Sequence, residues 1–194
     1  MVGTSGKTQA KDISNRVSAA DWIDAAMRLL AREGVDAIRI DRLCADLAVT
    51  KGSFYWHFPN REALVAAIAL DWASRRPQTT FETIRALDAN PREKLYRLFD
   101  LYWRDDIVRF DRAMRAWALS EPAIRKAIIA TDREMLGFVA GLFEEMSYPK
   151  DDAHMRAATI FFTGIGMSAA PHLVVPSEDD GREKWLNMIL GPKP

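Results

Sequence analysis

The chain has 194 residues, with 27 Lys+Arg, 27 Asp+Glu, three His and one Cys. Its 48% hydrophobic and 28% charged residues are a globular composition and exclude an intrinsically disordered chain. A lone Cys excludes a disulfide framework and a thiolate-rich zinc centre within one chain, and zero net charge excludes a uniformly basic nucleic-acid coat. Any DNA binding must therefore come from a local patch.

Residues 1–17 carry Lys7, Lys11 and Arg16 among small polar residues and read as a flexible tail. They hold no apolar run, so no signal peptide is expected. Ser18 followed by Asp21 reads as a capping box. It opens a first helix over 18–33, with Trp22, Ala26, Leu29 and Leu30 on one stripe. Gly34 ends that helix, and Val35 is expected to pack back on Leu30 as in a Schellman stop. Ile40, Leu43 and Leu47 mark a short second helix. Thr50 caps a third over 51–57, which Phe58-Pro59-Asn60 stops. Asn60 caps a fourth helix from Arg61 to about Arg75, with Leu64, Val65, Ile68 and Trp72 inward and Pro77 closing it. Five more helices are expected over 92–105, 107–118, 122–146, 151–170 and 182–190, with prolines at or near the breaks. No alternating strand pattern is present, so the fold class is all-α. The most apolar stretch, 159–175, is interrupted by Pro171 well short of the ~20 residues that a membrane span needs. A cytoplasmic protein with no membrane partner is expected.

The informative stretch runs from Arg39 to Arg61. Two short helices joined by a tight turn suit a helix-turn-helix, whose second helix enters the major groove. Thr50 at the cap of that helix offers a hydroxyl and backbone N–H groups to a phosphate, and Lys51 adds a cation. Gly52 and Ser53 are small enough for close approach to base edges. Tyr55 and His57 can donate to phosphate oxygens, and Arg61 opens the next helix beside the same face. Successive helix positions turn by ~100°, so Phe54, Tyr55 and Trp56 cannot all face one core. Residues 1–61 hold nine basic and seven acidic residues, a polarity of the right sign but small. Asp41 and Asp46 must point away from DNA for this reading to hold. The alternative is that 39–61 is simply two core helices of a bundle.

The run Ile40-x-x-Leu43-Cys44-x-x-Leu47-Ala48-Val49-Thr50-Lys51-Gly52-Ser53-Phe54-Tyr55-Trp56-His57-Phe58, followed by Pro59-Asn60-Arg61-Glu62-x-Leu64, resembles the TetR (tetracycline-repressor-like) family of transcriptional regulators. The likeness covers about 18–75. It implies an all-helical homodimer with a helix-turn-helix DNA-binding domain over 18–61 and an effector-binding and dimerisation domain over 62–194. Carried onto this chain, Thr50, Lys51, Ser53, Tyr55 and His57 contact DNA. Phe54 and Phe58 are partly buried, Phe54 reaching a thymine methyl, and Arg61 stands where the family usually has a phosphate-binding Lys. Arg39, Gly52 and Trp56 complete the expected DNA-binding set. The family usually has Gly where this chain has Ala48, a residue ill suited to a left-handed turn.

Cys44 reads as a small buried hydrophobe, and His154 as a solvated or capping residue. Trp72, Trp103, Phe110, Met114, Trp117, Phe138, Phe162 and His172 form the expected effector pocket, with core packing as the alternative for the apolar ones. Thr159, Gly164, Gly166, Ser168 and Ala169 put small residues on one apolar helix. With 182–190 it is expected to make the interface between two copies. No paired carboxylates, metal cluster, phosphate loop or nucleophile–base set is present, so neither an enzyme nor a cofactor is expected. The expected function is a repressor that binds a palindromic double-stranded operator and is released by a small apolar or aromatic effector. The alternatives are an activator, or a protein partner in place of the small molecule.

Overall fold

The computed structural model describes residues 17–102, 105–170 and 179–191. The tail expected over 1–17, apart from Val17, lies outside them, as do Trp103 and His172. Among the described residues there are nine α-helices and no strand: α1 Ala19–Glu33, α2 Ile40–Asp46, α3 Lys51–His57, α4 Arg61–Arg85, α5 Pro91–Tyr102, α6 Asp105–Trp117, α7 Pro122–Glu145, α8 Lys150–Ala169 and α9 Asp179–Leu190.

Local chemistry accounts for most helix ends. The Ser18 hydroxyl accepts from the Asp21 backbone N–H while the Asp21 carboxylate accepts from the Ser18 backbone N–H, which is the expected capping box. Asn60 caps α4 through the Ala63 N–H at 2.8 Å. Asn90 and Glu93 form a second box on α5, unforeseen in the sequence reading. The expected Schellman stop after α1 is absent. Gly34 adopts φ +83°, ψ −177°, an extended mirror conformation that leads into a 3-10 turn over Val35–Ala37. The Schellman geometry appears instead after α2 and α7. The Ala48 N–H donates to the Ala45 carbonyl and the Val49 N–H to the Cys44 carbonyl, with Ala48 at φ +54°. Ser147 at φ +70° repeats this after α7, where the Ser147 and Tyr148 N–H groups donate to the Glu144 and Phe143 carbonyls.

Helix α4 corrects the sequence reading. It does not stop near Arg75 but runs through Pro77 to Arg85. Proline removes one helical N–H donor, but the segment beyond it is held by tertiary packing. Phe81 and Ile84 are buried, and Phe81 stacks on Phe138 of α7 with centroids 4.5 Å apart.

Two apolar cores result. The first joins Trp22, Leu29 and Leu30 of α1, Leu43 of α2, Phe54 of α3 and Leu64, Ile68 and Trp72 of α4. It continues into Met114 and Trp117 of α6 and Ile124 and Ile128 of α7. The short N-terminal helices are thus seated on the α6–α7 corner. Arg125 braces that corner by donating to the Ala118 and Leu119 carbonyls. The second core packs Ile84, Leu95 and Leu98 against Val139, Phe143, Ala153, Ala157 and Leu186. Tyr148 ties in α9 by donating to the Leu190 carbonyl, and Arg156 bonds the Ile189 carbonyl beside it. No described helix is long and apolar enough to cross a membrane.

Candidate nucleic-acid interface and internal cavity

Helices α2 and α3 meet through the Ala48 turn as a helix-turn-helix. The three consecutive aromatics of α3 divide as the helical rotation requires. Phe54 is fully buried, edge-on to Trp22 at 5.2 Å between centroids, whereas Tyr55 is 54% and Trp56 77% exposed. Phe54 therefore cannot reach a base, and its expected DNA contact is corrected: it is the pin that fixes α3 to α1. Phe58 is buried beside it.

Thr50, Lys51, Gly52 and Arg39 are exposed, and Ser53 is half-buried on the same short helix. The Thr50 hydroxyl makes no capping bond, so it is not committed to α3. A Cβ built on Gly52 would meet only Thr50 Oγ1, at an ordinary 3.6 Å, so the fold has room for a side chain there. Three charged or polar residues of the expected set are already engaged. The Lys51 ammonium lies 2.6 Å from Asp41 Oδ1, and that hydrogen bond holds its pKa above the ordinary lysine value. Asp41 thus shares the face instead of pointing away from it, because the first turn of α2 abuts the start of α3. Asp46 pairs with Arg42 of its own helix at 3.3 Å. Exposed pairs of this kind are weak because water screens them, so a phosphate can compete for Lys51. The His57 Nε2–H donates to the Val17 carbonyl at 2.7 Å, tying the chain entering α1 to the end of α3. Arg61 donates to the Ile38 carbonyl at 3.3 Å. Cys44 is buried behind α2, and burial pushes its thiol pKa up.

Among the described residues, the expected effector side chains do not assemble into one pocket. Trp72, Met114 and Trp117 are buried in the first core, with Phe110 packed against it. Phe138 is stacked on Phe81, and Phe162 is 64% exposed on the outer face of α8. A cavity of about 110 Å³ opens elsewhere, between Leu95, Leu98, Phe99 and Tyr102 of α5, Asp111 and Arg115 of α6, and Thr131, Asp132 and Met135 of α7. Ile160 and Phe161 of α8 and Leu186 of α9 close it. Its polar end is a network. The Arg115 Nε donates to Asp111 Oδ2 at 2.8 Å, and its two terminal nitrogens donate to the two Asp132 oxygens at 3.0 and 2.8 Å. The Tyr102 hydroxyl donates to the same Asp111 oxygen at 3.2 Å. Burial, then the Asp111 charge, pushes the Tyr102 phenol well above its usual range, so it stays a neutral donor. Burial opposes the Arg115 charge, but the bonds and charges of Asp132 and Asp111 outweigh that and raise its pKa. The sequence reading names neither Asp111 nor Arg115, although their four-residue spacing is a signal that could have paired them. Asp132, from α7, carries no such signal.

The arrangement defines a class: an all-helical protein with an N-terminal helix-turn-helix and a helical body enclosing a small cavity. Residues 23–68 match the model described as "Bacterial regulatory proteins, tetR family". The N-terminal helix-turn-helix region is thus similar to the tetR family of bacterial regulatory proteins. It is 33% identical over 60 residues to the tetracycline repressor proteins of class D from Escherichia coli and of class H from Photobacterium damsela subsp. piscicida. That segment is 31% of this chain and spans 28% of each repressor, so the likeness is one of the N-terminal region. The fold matches over most of the chain. A TetR transcriptional regulator from Legionella pneumophila superposes with a TM-score of 0.72 at 16% identity, covering 90% of this chain and 97% of that one. A transcriptional regulator from Rhodococcus sp. Rha1 does so with a TM-score of 0.70 at 14% identity, covering 90% and 96%.

Proposed function

We propose that the protein is a ligand-responsive transcriptional repressor that binds a palindromic operator as a homodimer and releases it when a small molecule fills the α5–α9 cavity. The observation that carries the DNA-binding half is the division of α3. Phe54 is locked inside, while Tyr55 and a 77% exposed Trp56 are held out beside Thr50, Lys51 and Gly52. Large exposed aromatics on a rigid helix suit a partner that covers them. In the major groove Trp56 meets thymine methyls, Tyr55 and Lys51 meet phosphates, and Gly52 admits the backbone close to base edges. Arg39, Thr50, Ser53 and Arg61 flank that contact. His57 acts indirectly, by fixing Val17 against α3.

The dimer reading is supported by the outer face of α8. Met155, Thr159, Phe162, Gly166 and Ala169 are all exposed and recur every three or four residues, beside exposed Met188 of α9. Of the small residues expected there, Gly164 and Ser168 instead face inward, Gly164 toward Tyr102. Twofold pairing through this stripe would set two α3 helices for half-sites about 34–36 Å apart.

Helix α6 supplies the coupling. It carries Asp111 and Arg115 on the cavity side, and Met114 and Trp117 in the core that seats α1 and α4. A ligand that prefers one setting of α6 shifts the N-terminal unit by its differential affinity, typically ~1–3 kcal/mol. Incubating the full chain with fragmented genomic DNA, followed by footprinting of the retained fragments, tests the proposal. Two protected half-sites one helical turn apart are expected. Retention without sequence preference would refute it.

A further inference from the structure

We infer that the cavity selects a small organic cation over a neutral or anionic molecule, a conclusion that rests on reading the cavity as the effector site. Among the described lining residues the charged groups are Arg115, Asp111 and Asp132, one positive against two negative, a net −1. Arg115 is already paired with two carboxylates, which engage three of its five N–H donors. Its Nε and both terminal nitrogens are already directed at carboxylate oxygens at 2.8, 3.0 and 2.8 Å. An incoming carboxylate would meet a guanidinium whose charge is already shared by two like-charged neighbours. The Tyr102 phenol, held neutral, adds no charge to the balance.

An incoming cation gains on two sides. Asp111, only 7% exposed, shares Arg115 with Asp132, so the polar end of the cavity carries one net unit of negative charge. The rings of Phe99, Tyr102 and Phe161 line the apolar side, and Arg115 itself already sits 5.7 Å from the Phe161 centroid. Aromatic faces attract a desolvated cation. Size narrows the class further. The volume is about 110 Å³. A dry cavity of ~150 Å³ holds benzene, so a single ring is the upper limit for the interior and any substituent must lie at the partly exposed polar end beside Arg115 and Asp132. The competing account is that the Asp111–Arg115–Asp132 network is only a brace between α6 and α7. A brace gives no ranking of ligands by charge.

The test is calorimetric titration of the full wild-type chain with three probes of matched shape: benzylammonium, benzyl alcohol and benzoate. Benzylammonium should bind about tenfold tighter than the alcohol (about 1.4 kcal/mol), with benzoate weakest. Asp111→Asn removes one negative charge and should bring benzylammonium close to the alcohol, with Asp132→Asn as the second variant. The ranking on the wild-type chain needs neither variant to fold. Equal or tighter binding of the alcohol or of benzoate overturns the inference, and so does failure of all three probes to bind. Benzylammonium that binds first in rank but leaves the affinity for retained genomic fragments unchanged upholds the cation site and refutes the effector reading.

Discussion

Replacing Ala48 with glycine should raise the melting temperature. Ala48 sits at φ +54° in the turn between α2 and α3. There a Cβ crowds the following carbonyl, at a cost of ~1–2 kcal/mol for a non-glycine residue. The side chain is exposed, so removing its methyl group forfeits no buried area. The opposing term is the greater freedom of glycine in the unfolded chain, ~0.5–1 kcal/mol. The net gain is roughly 0.5–1 kcal/mol. For a chain of this size 1 kcal/mol moves the midpoint by ~2–4 °C, so a rise of about 2 °C is expected. Circular dichroism melting of wild type and variant at matched concentration reads it. A lower midpoint would refute the reasoning, since it would mean that the turn has an ordinary right-handed backbone in solution. Ser147→Gly at the equivalent place after α7 should behave in the same way, and the double variant should sum the two shifts.

Gly52→Ala should hold or raise stability, because the fold leaves room for the methyl group and alanine suits a helix better by ~0.5–1 kcal/mol. It should weaken DNA binding if the backbone there approaches base edges, and parallel melts and gel shifts separate the two effects. Phe54→Ala should destabilise by about 3–5 kcal/mol in denaturant titration, as a buried aromatic that pins α3, and should abolish DNA retention with it. Phe162→Arg should leave the fold within ~0.5 kcal/mol, because the side chain is exposed, yet give monomers in sedimentation. A variant that sediments as the wild-type dimer would place the interface elsewhere.

The helix order and the helix-turn-helix were legible because their signals are local. Ser18, Asn60 and Thr50 mark helix starts, and a run of three aromatics can place only one of them inward. The path of α4 was not legible. Pro77 is a local stop signal, overridden by packing of Phe81 and Ile84 against α7, which is remote in sequence. The cavity failed for a related reason. Apolar composition reads the same whether a residue faces a core or a void, so Trp72, Met114 and Trp117 were indistinguishable from lining residues. The polar end that marks the cavity joins Arg115 to a carboxylate 17 positions away. The turn at Ala48 shows the reverse case. A missing glycine did not remove the left-handed position, because the two carbonyls of α2 that it satisfies are worth more than the strain.

The central claim, that α3 docks on DNA through its exposed face, is tested most directly by the salt dependence of binding. Affinity for a retained genomic fragment should be measured against salt concentration for wild type and Lys51→Ala. Each phosphate contact contributes ~0.9 to the slope of log affinity against log salt, so the variant should lose about one unit. Its affinity should also fall by a similar factor on unrelated fragments, because a phosphate contact positions the protein without reading sequence. An unchanged slope in Lys51→Ala would contradict the docking of α3 on DNA as described.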